Sequence, residues 1–327
     1  MSRQRLAVIG GNGFIGQEVV RQALARGFDV LTVDPGPPRH PAGPPAGGRH
    51  APVSVADEDT LAAVLTQFAP HAAVNLAAYG EGTVGLAGGA GHNPARAVDV
   101  NVRGAAVLLR VLQGCGCRQL SWSSSSTVYG PRARYGDAAD GPGVTEDAPT
   151  APELVYGATK VGAEQLTRVL AAEYGIRAVG VRLPLVYGNG RWYGGSQQDL
   201  VRFTGRLAAG EPAHLRAWTG VADWMHVDDA ARCLLDCATN PAATRPVYNA
   251  SGHRSSLFDL ATALVAAAGA PATAHVEPVA DGAPDLPLLD TTRIRAELGF
   301  APRIADPQTG ARHYLAPPHP ADPEDPR

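Results

Sequence analysis

Residues 6–9 form a short apolar run. Glycines follow at positions 10, 11, 13 and 16, and then a stretch, 17–26, sets Val19, Val20, Ala23 and Leu24 on one side of a helix. A run of that length without alternation is the pattern of a strand buried on both faces of a parallel sheet. The rhythm recurs: 30–34, 53–57, 72–78, 118–126 and 178–183 read as strands, and 58–68, 98–112 and 153–174 as helices. Residues 35–52, crowded with proline and glycine, read as a long surface loop, because proline neither continues a helix nor serves a central strand. A glycine-rich loop is expected after Ala78, and a loop rich in Gly, Asp and Pro up to Pro152. Strand and helix in alternation predict an α/β fold, a Rossmann-type doubly wound parallel sheet. After residue 183 the rhythm changes: loop at 187–195, helix at 198–209, strand at 224–227, helix at 228–239, strand at 246–250, and helices at 257–268 and 291–298.

Composition narrows the class of function. A chain of 327 residues with 45% hydrophobic and 18% charged residues can bury a large core. Its net charge of -3 gives no electrostatic case for nucleic acid as a partner. No apolar run is long enough to span a bilayer and no amino-terminal signal pattern is present, so neither a membrane nor export is expected and a cytoplasmic location is the default. Cys115/Cys117 and Cys233/Cys237 lack zinc-ligand spacing, so they are assigned to packing and no metal is expected. The ending, 317–327, is rich in Pro, Asp and Glu and reads as a disordered tail.

The glycine run carries the first candidate chemistry. Gly11-x-Gly13-x-x-Gly16 and Gly10-x-x-Gly13-x-x-Gly16 both follow a strand and open a helix, the arrangement that seats a pyrophosphate at a helix amino terminus. Asp34 ends the next strand, where an acid accepts hydrogen bonds from ribose hydroxyls. It favours NAD over NADP, although Arg39 and His40 nearby leave NADP open. Asp57 reads either as an adenine contact or as the cap of the helix at 58–68. Asn101, inside an otherwise apolar helix face, either braces neighbouring strand ends or faces a polar edge.

Tyr156 and Lys160 sit at i and i+4 and so share a helix face. A free tyrosine, with a pKa of about 10, is a poor base at neutral pH. A lysine cation and a positively charged nicotinamide beside it favour the phenolate. Ser125, at the tip of the fifth strand, is suited to bonding the same substrate oxygen. The three residues fit hydride transfer at a carbinol or carbonyl: Tyr156 moves the proton, Lys160 tunes it, and Ser125 orients the substrate.

With these motifs in order, the chain resembles the extended short-chain dehydrogenases/reductases, also called the NAD-dependent epimerase/dehydratase family, across about residues 5–315. The resemblance rests on residues 10–16, 75–78, 99–104, 123–130, 156–160, 182–188, 223–229, 248–252 and 298–302. It implies catalytic roles for Ser125, Tyr156 and Lys160. It implies NAD contacts from Gly10, Gly13, Phe14, Ile15, Gly16, Asp34, Asp57, Leu76, Ala77, Ala78, Asn101, Tyr156, Lys160, Pro184 and Val186. It implies an NAD-binding domain over 1–183 and 227–250, and a smaller α/β substrate domain over 184–226 and 251–316. A homodimer through helices 98–112 and 153–174 is also implied. Tyr79, Glu81, Thr83, Ser126, Thr127 and Arg191 are candidate contacts to a small-molecule substrate.

Departures from the family pattern bear on that substrate. Leu185 stands where nucleotide-sugar members carry asparagine, and Ala222 where they carry arginine. Both usual residues hold a diphosphate, whose buried charge needs partners. Arg191, Arg202, Arg206 and Arg216 are the possible substitutes. Ser126-Thr127 occupy the place of the Asp-Glu pair of the sugar 4,6-dehydratases, which argues against that elimination, and Asn75 replaces a usual histidine. The leading expectation is an NAD-dependent oxidoreductase or epimerase acting on a small sugar-like, hydroxy-acid or natural-product substrate. The alternatives are a UDP- or dTDP-sugar epimerase and, third, an inactive NAD(P)-sensing protein.

Overall fold

The structure, a computed structural model, describes residues 3–37, 47–82, 84–191, 195–269 and 273–316. Thr83, Arg39, His40 and the tail at 317–327 lie outside the described residues. Seven parallel strands form the main sheet: β1 (Arg5–Ile9), β2 (Asp29–Val33), β3 (Arg49–Ala51), β4 (Ala72–Asn75), β5 (Gln119–Ser125), β6 (Arg177–Leu183) and, returning late in the chain, β10 (Val247–Asn249). Their order across the sheet is β10-β6-β5-β4-β1-β2-β3. The order reverses between β1 and β4, so a crevice opens at the carboxyl ends of those strands.

Both faces of the sheet are covered, which is why its strands read as unbroken apolar runs. On one face α1 (Phe14–Ala25) and α8 (Val227–Thr239) bury Val19, Val20, Ala230 and Leu234 against Leu6, Val8 and Val181. On the other, α2 (Glu58–Phe68), α5 (Gly104–Gly114) and α6 (Val155–Tyr174) bury Leu61, Leu65, Leu108, Leu112 and Ala163 against Ala7, Ile9 and Leu120. At the amino ends of the strands, arginines satisfy helix carboxyl termini. Arg5 Nε donates to Ala69 O at 2.7 Å, and Arg177 donates to the carbonyls of Cys237, Ala238 and Ala243.

The remaining strands build two smaller sheets: β7 (Leu185–Tyr187), β9 (Ala222–His226) and β11 (His253–Ser255) in one, β8 (Ala213–Trp218) and β12 (Ala274–Val279) in the other. With α7 (Gln198–Ala208), α9 (Leu257–Ala267) and α11 (Pro307–Leu315) they share a separate apolar cluster around Phe203, Leu215, Trp224 and Leu260. The helix α10 (Thr292–Leu298) lies against β10. Among the described residues no helix is long and apolar enough to cross a membrane. All four cysteines are free thiols, three of them buried.

Several elements differ from the sequence expectation. The third strand is β3, inside the region read as loop, not 53–57. Val53 and Val55 are buried and mimic an alternating strand, but Pro52 interrupts the ladder just after Ala51, leaving β3 as a short edge strand. The glycine-rich stretch after β4 holds a helix, α3 (Gly85–His92). Glycine disfavours helix by about 1 kcal/mol per residue, so the pattern hides it. At Gly89 a Cβ would lie 2.7 Å from Glu81 N, so this helix packs on the preceding loop because it lacks side chains there. The helix expected at 98–112 starts earlier, with α4 (Pro94–Val98), and passes through a π turn, Asp99–Arg103, into α5. The strands β7, β8, β11 and β12 and the helix α11 were not anticipated at their observed positions.

Candidate functional site

The glycine turn lies at the crevice. Gly10 has φ +77°, and a Cβ there would fall 2.7 Å from Ala77 N, so β4 approaches the turn closely only because position 10 lacks a side chain. A Cβ on Gly16 would fall 2.2 Å from Gly10 O, and Gly13 donates its N–H to the same oxygen at 3.1 Å. Phe14, Ile15 and Gly16 form the first turn of α1, and the N–H groups of such a turn point out of the helix end. The acid at the tip of β2 is tied to this turn. Asp34 Oδ2 accepts from Asn12 N at 3.2 Å and Oδ1 from Gly36 N at 2.9 Å. Asn12 Nδ2 contacts His50 Nε2 at 3.1 Å and donates to Gly36 O at 2.5 Å, a brace that sequence reading missed. A cradle of backbone with an acid at its rim fits the pyrophosphate and ribose of NAD.

Asp57 caps α2, accepting from Thr60 N at 3.3 Å. Asn101 sits in the π turn, 5% exposed. It accepts from Tyr79 N at 2.8 Å and donates to Thr159 Oγ1 at 2.9 Å, so it joins the end of β4 to α6. Asn75, in the histidine position, accepts from Ala77 N at 3.1 Å and shapes the strand end. Leu76 and Ala78 flank Ala77 on the segment against which Gly10 packs. Pro184 and Val186 lie where β6 passes into β7.

Tyr156 and Lys160 occupy the first turns of α6, and the ammonium lies 5.6 Å from the centre of the tyrosine ring. Lys160 is 4% exposed and donates to Ser123 O on β5 at 2.8 Å. Burial pushes its pKa down to about 8, while the Glu164 charge pulls the other way. Successive β5 side chains point to opposite sides. Ser124 Oγ therefore reaches Glu164 at 2.5 Å, and Glu164 forms a buried bidentate pair with Arg182 (3.0 and 2.7 Å). Ser125 instead accepts from the Thr127 N–H at 3.2 Å and shares a hydrogen bond with the Thr127 hydroxyl at 2.9 Å. Ser126, between them, is buried.

Tyr79 packs against the cluster formed by Ala90, Ala97 and Tyr156 and donates its hydroxyl to the Glu81 carboxylate. That bond holds Glu81 below the usual carboxylate range, with His92 3.4 Å away adding to the effect. Arg191 donates to Val186 O at 2.8 Å, and its guanidinium lies 5.6 Å from the Phe14 ring, next to the glycine turn. Arg202, Arg206 and Arg216 are exposed and face Asp199, Glu211 and Glu277. Leu185 and Ala222 stand on paired strands, Ala222 buried. The Glu164–Arg182 pair was missed because its members are 18 residues apart and meet only when α6 packs on β6.

A parallel sheet covered on both faces, with a glycine cradle at its switch point, defines a dinucleotide-binding α/β enzyme. The model of the NAD dependent epimerase/dehydratase family matches residues 6–251. The chain belongs to that family, and its cofactor is NAD. It is similar to a UDP-glucose 4-epimerase of Corynebacterium glutamicum, 27% identical over 319 residues that cover 93% of each chain. It is also similar to a dTDP-6-deoxy-L-talose 4-dehydrogenase (NAD(P)(+)) of Kitasatospora kifunensis, 29% identical over 91% of each. Among solved structures, the UDP-glucose 4-epimerase of Thermus thermophilus in complex with NAD superposes with a TM-score of 0.77 at 25% identity. That match covers 95% of this chain and 98% of the other.

Proposed function

We propose that the enzyme carries out NAD-dependent oxidoreduction or epimerisation at a secondary alcohol or carbonyl of a small sugar-like, hydroxy-acid or natural-product substrate. Ser125, Tyr156 and Lys160 are the catalytic residues in this reading. Tyr156 exchanges the proton of the substrate hydroxyl, Lys160 biases it toward the phenolate, and Ser125 hydrogen-bonds the same oxygen. NAD, when bound, supplies the hydride acceptor and donor. The observation that carries the reading is the buried Lys160 ammonium beside the Tyr156 ring. A buried cation is costly to keep, and such groups cluster at functional sites.

In the same reading the glycine turn, Asp34 and the ends of β4 and β6 hold NAD. Residues 1–183 and 227–250 form the cofactor domain, and 184–226 with 251–316 the substrate domain. A homodimer forms through helices 98–112 and 153–174, where Val98 and Val169 stand about half exposed. The apolar residues at Leu185 and Ala222 favour a substrate without a nucleoside diphosphate. A second reading, a UDP- or dTDP-sugar epimerase, is favoured by the relatives, with Arg191 beside the glycine turn as the replacement cation.

Tyr156→Phe tests the chemistry: turnover falls by about a hundredfold or more while NAD titration is unchanged, and undiminished turnover refutes the assignment. Thermal shift with UDP and dTDP separates the two substrate readings. The first expects no shift, and a clear stabilisation by either nucleotide selects the second.

A further inference from the structure

We propose that Thr127 is a positioning residue that fixes Ser125 as a hydrogen-bond donor to the substrate oxygen. This rests on the Ser–Tyr–Lys reading above. The Ser125 Oγ accepts from the Thr127 N–H at 3.2 Å and lies 2.9 Å from the Thr127 hydroxyl, which donates to it in the arrangement we infer. A hydroxyl oxygen has two lone pairs and one hydrogen. With both lone pairs engaged from one side, the hydrogen is what Ser125 has left to offer, and it leaves on the side away from Thr127.

The local fold produces this arrangement. Ser125 is the last residue of β5, extended at φ −151° and ψ 148°, and it caps the single helical turn Ser126–Val128. That turn folds the chain back so that the main chain and the side chain of Thr127 reach one oxygen. Val128 and Tyr129 are fully buried just beyond it, and Tyr129 is bonded to Arg182 and Asn249 at 2.6 and 2.9 Å. The turn is therefore held from both ends, and Thr127 has little freedom to retreat from Ser125.

The chemical consequence is a division of labour. A serine limited to donating stabilises an oxygen that is becoming a carbonyl or carries alkoxide charge, and it takes no proton itself. In the oxidative direction the Tyr156 phenolate would take the alcohol proton, and NAD, when bound, would supply the hydride acceptor that lets the carbonyl form. Ser125 then keeps its hydrogen and bonds the product oxygen.

Two experiments test the inference. In the first, NAD-bound protein exchanged into heavy water is studied by neutron diffraction, which locates hydroxyl deuterons and needs no substrate. The Thr127 deuteron is expected on the line to Ser125 Oγ, and the Ser125 deuteron directed away from Thr127. A Ser125 deuteron lying on Thr127 Oγ1 overturns the inference.

In the second, single-turnover NADH absorbance is followed with D-galactose and UDP-glucose as probes. Thr127→Val, which keeps the shape and the main-chain bond, lowers the rate roughly tenfold, with the apparent KM, NAD titration and unfolding midpoint unchanged, and Thr127→Ser restores most of the loss. In a Ser125→Ala background Thr127→Val adds nothing. An equal loss with and without Ser125, or no loss at all, overturns the inference. If Ser125→Ala alone leaves the rate unchanged, the catalytic reading of Ser125 falls and the inference with it. Should Thr127→Val not fold, Thr127→Ala carries the same comparison.

Discussion

Lys160 Nζ donates a 2.8 Å hydrogen bond to the Ser123 carbonyl while standing 5.6 Å from the centre of the Tyr156 ring. The first contact fixes α6 to β5, and the second puts the cation beside the phenol. Ser123 lies two residues before Ser125 on the same strand. One lysine thus sets the separation between the helix that carries Tyr156 and the strand that carries Ser125. Burying the ammonium has a cost, and that cost is measurable.

Burial lowers the Lys160 pKa from 10.5 to about 8. Between those two values the unfolded chain binds more protons than the folded one, so this group makes stability rise with pH across that window. Below pH 8 its destabilisation is fully present, worth about 3 kcal/mol by linkage. Lys160→Met removes the titration. The stability gap between mutant and wild type, followed by urea unfolding, should change in the mutant's disfavour as pH rises from 8 toward 10.5. Parallel pH profiles for the two proteins would show that the ammonium is not buried as described.

Gly16 offers a test of the cofactor cradle. A Cβ at this position would meet Gly10 O at 2.2 Å and Gly11 Cα at 2.7 Å, both backbone atoms of the turn itself. Gly16→Ala should weaken NAD binding by at least tenfold in a calorimetric titration, because the turn must open to admit the methyl group. Gly114→Ala, at a helix end with nothing near the new atom, should bind NAD normally. Equal affinity in the two variants would argue that the turn does not hold the cofactor.

What the sequence disclosed and what it hid divide along a physical line. The strand-turn-helix at Gly10–Gly16, the Tyr156–Lys160 spacing and the serine at the tip of β5 depend on residues close in the chain, where periodicity and turn chemistry speak directly. The Glu164–Arg182 pair behind Ser124 and the Asn101 link between Tyr79 and Thr159 arise only when separate elements pack. The π turn around Asn101 leaves no mark on an apolar pattern that continues through it. Buried Val53 and Val55 imitated a strand outside the ladder, whereas β8 alternates buried and exposed positions and was legible but not read. The strand β12 hid differently: none of its side chains is fully buried, so it lacks a clear buried–exposed alternation, and it carries Pro278 within the paired ladder, where a proline argues against a strand.

Gly310 on α11 tests the packing that joins the carboxyl-terminal helix to β7. A Cβ at this position would lie 1.8 Å from Tyr187 Oη, and that hydroxyl is itself held by His253 Nε2 at 2.9 Å. In an open helix, glycine to alanine stabilises by about 1 kcal/mol. Here the sign should reverse, with Gly310→Ala costing roughly 1–3 kcal/mol as the tyrosine is forced aside. Tyr187→Phe removes the atom that collides, leaving the nearest ring carbon 2.9 Å from the new methyl group. Gly310→Ala should therefore be less costly in the Tyr187→Phe background than alone, a coupling that a double-mutant cycle in urea measures. Additive effects of the two changes would mean that the helix and the tyrosine do not meet at this point.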